Sequence, residues 1–221
     1  AEALPTSVHV TRYTAAAIEE QEEADVEDIP GILAEPGVVW VDVHGLRGVD
    51  IIGRLGDAIG AHKLTMEDVV NVPQRPKVDD HGDHIFLTLR ALRLGEEGGL
   101  AAGQVSLFVG GNYVLTFHEE GGDGLDSVRA RLQRAAGRIR GAGSDYLMYA
   151  LMDAVIDAYF PLLEYYGEQL EEMEAAIVHP SREDGRDTIL RLHALRRDLL
   201  GMRRRFAPLR DAVATLLRSE S

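Results

Sequence analysis

The first two thirds of the chain alternate between strand-like and helical patterns of hydrophobic residues. Residues 8–13 and the β-branched run VVWVDV at residues 38–43 predict two strands. The acidic stretch between them, residues 15–36, predicts a helix or a loop. From Val49 to Ile59 apolar residues recur at helical spacing, which predicts a helix that ends near Gly60.

Three further strands are predicted at residues 84–94, 104–109 and 113–118. The glycine-rich segment GEEGGLAAG joins the first two, and Gly110-Gly111-Asn112 forms a tight turn between the last two, so the three strands predict a meander. A helix over residues 125–140 follows. These elements predict an α+β domain over residues 1–143, built as an α/β/α sandwich with a mixed, partly meander sheet.

From residue 144 onward strand signals vanish. Two long helices are predicted at about 145–178 and 184–218, joined at His179-Pro180-Ser181, so that residues 144–221 form an antiparallel helical hairpin. Pro161 and Pro208 predict kinks in these helices. Residues 141–181 carry eight carboxylates and no Lys or Arg, whereas residues 182–221 carry ten arginines and six acids. We therefore expect ion pairs across the hairpin, each contributing about 0–1 kcal/mol.

Composition narrows the classes of partner. The formal net charge of the 221 residues is -14, which argues against a nucleic-acid partner and makes cations the more natural ligands. Cysteine is absent, so thiolate metal sites are excluded. The most apolar stretch, residues 146–166, is interrupted by Asp153, Asp157 and Glu164, and predicts an amphipathic helix in water rather than a membrane span.

The segment LTMEDVVNVPQR at residues 64–75 contains the first candidate site. Its apolar residues predict a short amphipathic helix with Glu67 and Asp68 on the polar side, and Pro73 and Pro76 end that helix. Neighbouring side chains lie about 100° apart on a helix, so the two carboxylates could serve two different sites. The alternative is an ordinary polar helix face.

The second candidate is Asp153 and Asp157, which lie four residues apart and face the same way on a helix. Like charges at this spacing destabilise an isolated helix by about 0.2–0.5 kcal/mol. A divalent cation or an arginine beside the pair would make the interaction stabilising instead. Simple solvation or salt bridging is the alternative. A metal-dependent hydrolase is a weaker alternative, because no nucleophile or base is placed beside the pair.

Histidines and glycines give weaker signals. His81 and His84 have a spacing that can suit a metal, but a solvent-facing turn is the favoured interpretation. His118-Glu119-Glu120 is not HExxH, and no GxGxxG, P-loop or GxSxG pattern occurs. The sequence therefore predicts that the protein is not an enzyme.

The MED-x-x-N-x-x-Q-R-P-K pattern at residues 66–77 resembles the cytoplasmic domain of CorA-type magnesium and cobalt transporters. The segments QVSLF, NYVLT, DYLMYALMDAVIDAYFPLL and RRRFAPLRD follow in that family's order and spacing, from about residue 38 to the end. Several motifs in order are far more specific than one. Zinc-transporting ZntB relatives are the nearest alternative.

This resemblance implies a soluble ion-sensing domain on the cytoplasmic side of a membrane, part of a homopentameric channel whose stalk and membrane helices are absent here. It implies that Asp68 takes part in a Mg²⁺ site between subunits, with Glu67 and Asp153 at a neighbouring site. Mg²⁺ or Co²⁺ would then be a regulatory ligand whose loss lets the subunits move. Two alternatives stay open: the cytoplasmic domain of a ZntB-like Zn²⁺ transporter, and a free-standing acidic protein-interaction module.

Overall fold

The computed structural model describes residues 5–95, 98–119, 124–178 and 185–219. Within these residues seven strands form one mixed sheet. The strands are β1 (Ser7–Tyr13), β2 (Ile18–Gln21), β3 (Val38–His44), β4 (Lys77–Asp80), β5 (Ile85–Leu94), β6 (Leu100–Val109) and β7 (Tyr113–His118). Their order across the sheet is β2-β1-β3-β7-β6-β5-β4, which confirms the predicted mixed sheet.

The seven-stranded sheet contains one parallel pair of neighbouring strands. β3 and β7 run parallel at the centre, and every other neighbouring pair is antiparallel. The predicted meander of β5, β6 and β7 is confirmed, and its last turn is closed by a 3.0 Å bond from the Gly110 amide to the Tyr113 carbonyl. β5 and β6 pair along their whole lengths, so β6 begins four residues earlier than predicted.

Helices cover both faces of the sheet. One face carries α1 (Ile29–Leu33), α2 (Val49–Ala58) and α3 (Lys63–Val70). The other carries α4 (Asp126–Gln133), a 3₁₀ turn (Ile139–Gly141), α5 (Ser144–Asp157), α6 (Tyr159–Val178) and α7 (Gly185–Ser219). The result is the predicted α/β/α sandwich.

Alternation along the strands separates the two cores. In β3, Val39 and Val41 point toward α1–α3, and the fully buried Trp40 between them points toward α4–α7. In β5, Phe86 and Leu87 divide in the same way. Because successive side chains of a strand face opposite sides, a strand buried on both faces reads as a continuous apolar run.

Three further sequence-based assignments differ from the structure. Residues 15–36, predicted as a helix or loop, contain both β2 and the short α1, and the edge strand β4 was not predicted. The helix predicted over 125–140 ends at Gln133, because the chain then takes positive φ at Ala135 and Gly137, which a helix cannot continue through.

The first long helix is divided at Ala158, between α5 and α6. Pro161 explains the break, since its ring collides with the carbonyl four residues earlier, that of Asp157, where α5 ends. α7 continues through Pro208, and a kink there stays a prediction.

The long helices run antiparallel. Arg191 of α7 pairs with Glu172 of α6 at 2.8 Å, and Asp198 accepts a 3.1 Å bond from the Tyr166 hydroxyl. Residue numbers therefore rise along one helix as they fall along the other. The predicted turn at residues 179–181 lies outside the described residues, and the proposed domain boundary at residue 143 stays a prediction.

By length and composition alone, Ser144–Val178 is the one described helical stretch that could cross a membrane. Leu147, Leu151 and Val155 in its first half are buried against the sheet. The first half of this stretch therefore belongs to the core on the α4–α7 side of the sheet.

Candidate functional site

The four acids predicted to bind metal lie on opposite sides of the sheet. Glu67 and Asp68 belong to α3, which packs through Met66 and Val69 into the core beneath α1–α3. Asp153 and Asp157 belong to α5, which lies over the other face. A single copy of the chain therefore does not bring the two pairs together.

Asp68 is half-buried and already paired. Its Oδ2 atom lies 2.8 Å from Nζ of Lys77, and the same ammonium lies 2.7 Å from Asp79. Burial lowers the pKa of Lys77, but hydrogen bonds to Asp68 and Asp79 outweigh burial and hold that pKa above its ordinary value. The Lys77 ammonium group thus lies between the carboxylates of Asp68 and Asp79 at the end of α3.

Gln104 of β6 holds the end of α3 in place. Its amide nitrogen donates to the Asp68 carbonyl at 3.0 Å, and its amide oxygen accepts from the backbone amide of Gln74 at 2.7 Å. Gln104 is buried, so these bonds are shielded from water. Glu67, one residue before Asp68, is exposed.

Asp153 and Asp157 lie one turn apart at the end of α5. Asp153 is half-buried and Asp157, the last residue of the helix, is exposed. In the described part of the chain neither carboxylate pairs with a basic side chain, so the arginine partner considered from the spacing is not found there. A cation from solution could reach both.

A cluster that was not predicted lies at the centre of the sheet. Asp42 and His44 alternate along β3 on the α4 side, and β7 places Thr116 and His118 directly beside them. His118 Nε2 is 2.7 Å from Oδ1 of Asp42, and His44 Nε2 is 3.1 Å from Oδ2. No other set of three acids or histidines in the described ranges has its ligand atoms this close.

Two more side chains complete the cluster. The Thr116 hydroxyl donates to Oδ1 of Asp42 at 2.5 Å while accepting from the indole nitrogen of Trp40 at 2.9 Å. Arg129 of α4 reaches Oδ2 at 2.5 Å, and its guanidinium lies 4.7 Å from the centre of the Trp40 ring. Asp42 therefore has four polar partners although it is only 1% exposed.

Electrostatics keep Asp42 ionised. Burial alone would raise the pKa of Asp42, but hydrogen bonds from His118 and His44 outweigh burial and hold the pKa well below its usual range. Burial and the nearby His44 lower the pKa of His9, which lies beside this cluster on β1. The cluster is a compact, charged site at the centre of the sheet.

A signal for this cluster exists in the sequence. An acid and a histidine at alternate positions of the apolar run VVWVDVH, and a histidine ending YVLTFH, put polar side chains on buried strand faces. Buried polar groups require partners, so such positions indicate a site or a network. By contrast, His81 is exposed as expected, whereas His84 is buried against Phe108 rather than solvent-facing.

Comparison with known proteins finds one matching family. The family described as CorA-like Mg²⁺ transporter protein matches residues 35–221. The cobalt/magnesium transport protein CorA of Thermotoga maritima is 34% identical over 213 residues, which cover 96% of this chain and 60% of that protein. The chain thus spans less than two thirds of that relative.

Solved structures share the fold. The CorA magnesium transporter of Methanocaldococcus jannaschii superposes with a TM-score of 0.75 at 15% identity, covering 96% of this chain and 63% of that one. The ZntB cytoplasmic domain of Vibrio parahaemolyticus superposes with a TM-score of 0.73 at 15% identity, covering 97% of this chain and 81% of that one. At this identity the likeness establishes the fold alone.

Proposed function

Since the chain belongs to the CorA-like Mg²⁺ transporter family, we propose that it is the cytoplasmic ion-sensing part of a homopentameric divalent-cation transporter, and that Mg²⁺ or Co²⁺ bound between copies closes the assembly. Neither enzyme chemistry nor a nucleic acid has a part in this role. The proposed ligands are Asp68 with Glu67 on one copy, and Asp153 with Asp157 on its neighbour.

The observation that carries this proposal is the placement of the two acidic pairs on opposite faces of one fold. A contact that joins two different faces is heterologous, and repetition of such a contact closes into a ring when the rotation permits. A cation bridging Glu67 of one copy to Asp153 of the next, beside the site of Asp68, would therefore act at every interface of the ring.

The negative charge of each copy explains why a bound cation would favour assembly. Each copy carries a formal charge of -14, so copies repel one another until cations neutralise the facing carboxylates. Mg²⁺ keeps much of its water shell and takes only one or two carboxylates directly, which suits loosely spaced acids at an interface. Binding of this kind is weak, so occupancy follows millimolar changes in the ion.

The test measures thermal unfolding and sedimentation as Mg²⁺ is raised at constant ionic strength. Mg²⁺ should raise the melting temperature and favour the larger species, and Asp68→Asn should weaken both responses. Asp57→Asn removes an exposed acid of α2 and serves as the charge-matched control. Identical responses of wild type and Asp68→Asn at every concentration would overturn the proposal. Metal-independent dimers would point to an interaction module instead.

A further inference from the structure

We propose that Asp42, His44 and His118 form a second cation site, inside each copy, that takes a borderline transition-metal ion such as Zn²⁺. This site shares no residue with the acidic pairs discussed above, and it does not depend on contact between copies. Its ligands come from the two central, parallel strands of the sheet.

The geometry is nearly that of a metal site. One ligand atom from each of the three residues lies within 4.8 Å of the other two, and both imidazoles turn Nε2 toward the same carboxylate. In tetrahedral zinc sites the metal lies about 2.0–2.2 Å from nitrogen and oxygen ligands, so ligand atoms are about 3.3–3.6 Å apart. A modest opening of the cluster would admit the ion.

The donor set selects the kind of ion. Two imidazole nitrogens with one carboxylate suit Zn²⁺, Co²⁺ or Ni²⁺, whereas Mg²⁺ prefers an all-oxygen shell. Three protein ligands leave a fourth position for water or a further ligand. His9 lies close by on the neighbouring strand β1, with its ring centre 5.2 Å from that of His44.

Ions can reach the site from solution. His44 and His9 line an open cleft of about 430 Å³ that also contains Glu22 and Asp126 at its walls. The side chain of His44 is 27% exposed, whereas those of Asp42 and His118 are 1% exposed. The cleft therefore offers an entrance lined by acids and a closed inner end that holds two ligands rigidly.

Arg129 occupies the place of the ion in the metal-free protein. Its guanidinium neutralises Oδ2 of Asp42 at 2.5 Å and is itself 21% exposed at the cleft. Metal binding requires Arg129 to leave this oxygen, and its position over the Trp40 ring gives the displaced guanidinium an alternative contact. Thr116 keeps its bond to Oδ1 and orients the carboxylate.

The test titrates Zn²⁺ into the untagged chain, with binding followed by calorimetry and by the fluorescence of Trp40, the single tryptophan. We expect saturable binding of one ion per copy, and tetrahedral-type visible absorption when Co²⁺ replaces Zn²⁺. His44→Ala should weaken binding by at least about tenfold. His193→Ala removes an exposed histidine of α7 and should leave the affinity unchanged.

A second variant is expected to raise the Zn²⁺ affinity rather than lower it. Arg129→Gln removes the competing cation and should raise Zn²⁺ affinity several-fold, although it weakens the metal-free fold. Unchanged affinity in both His44→Ala and Arg129→Gln would overturn the proposal, as would equal loss in His44→Ala and His193→Ala. Asp68→Asn should bind Zn²⁺ normally, so this test and the Mg²⁺ test fail independently.

Discussion

Lys77 places its Nζ atom 2.8 Å from Oδ2 of Asp68, so the acid expected to bind Mg²⁺ already holds a cation of its own chain. Lys77 is one of only two lysines in the sequence. Both partners are about one third exposed, at 36% and 31%, so the pair contributes little to stability. Under the proposed function, the pair would set how much Mg²⁺ is needed to compete for Asp68.

Replacing Lys77 should therefore sharpen the response to Mg²⁺. In Lys77→Gln, Asp68 and Asp79 lose their shared counter-ion, and half of the Mg²⁺-induced rise in melting temperature should occur at a lower Mg²⁺ concentration. Lys63→Gln, at the exposed start of α3, is the matched control because it changes the net charge equally. A higher or unchanged half-saturation in Lys77→Gln would contradict this role.

Asp42 should be the most important acid for stability. Asp42→Asn leaves Arg129 and two imidazoles without their carboxylate in a buried position, and removal of one partner of a buried ion pair costs about 3–5 kcal/mol. Guanidinium unfolding in metal-free buffer measures the loss. Asp50→Asn, an exposed acid in the first turn of α2, should change the free energy of unfolding by less than about 0.5 kcal/mol. Similar values for both variants would be inconsistent with the network described.

Two glycines of α2 should respond to alanine with opposite signs. A Cβ added at Gly53 meets no atom within 4 Å, so Gly53→Ala should stabilise the fold by about 0.5–1 kcal/mol through helix propensity. A Cβ at Gly56 would lie 2.7 Å from Cγ of Met66 in α3, so Gly56→Ala should destabilise by about 1–3 kcal/mol. Thermal unfolding of the two variants measures both changes in stability. A gain in stability for Gly56→Ala would show that α3 moves freely.

Tyr159 should make the fold sensitive to alkali. Burial raises the pKa of Tyr159 from 10.0 to about 12, and its hydroxyl donates to the Arg90 carbonyl. A raised pKa means that its stabilisation is complete below about pH 10 and is lost as the pH rises through about 12, a change of about 3 kcal/mol.

Tyr159→Phe should accordingly cost about 1–2 kcal/mol at pH 7, where the hydrogen bond is lost, and less than that near pH 11.5. Unfolding curves of wild type and Tyr159→Phe at both pH values measure this decreasing difference in stability. Tyr149→Phe, whose ring is 55% exposed, should show the same stability as wild type at both. A difference in stability between wild type and Tyr159→Phe that stays constant or grows at high pH would mean that the Tyr159 pKa is not raised.

Periodicity was enough to predict most of the sheet, because buried strands and amphipathic helices must repeat their apolar positions. β2 escaped because three of the four residues in its sequence, IEEQ, are exposed; backbone pairing with β1 and an ion pair between Arg12 and Glu19 hold it in place. No hydrophobic pattern marks such an edge strand. Pro161 predicted a kink, but the position of the break was not predicted, because it falls four residues upstream at a point where the apolar pattern itself continues.

The candidate sites likewise differ in whether local sequence patterns could reveal them. Glu67, Asp68, Asp153 and Asp157 were proposed from local spacing and a family motif, and both kinds of signal lie within a few residues. The Asp42 cluster depends on the register between β3 and β7, which local patterns do not specify. Only the pairing of Asp42 with Thr116 and of His44 with His118 brings its members together.

The parallel pairing of β3 with β7 also has a consequence for the order of folding. Asp42 and His118 are 76 residues apart in the chain, whereas β5, β6 and β7 follow one another through short turns. Closing a long loop costs more chain entropy than forming adjacent hairpins, so the meander should assemble first and β3 should dock onto it later. Trp40 would then lose contact with water only in the late phase of refolding, after the hairpins are already protected from hydrogen exchange.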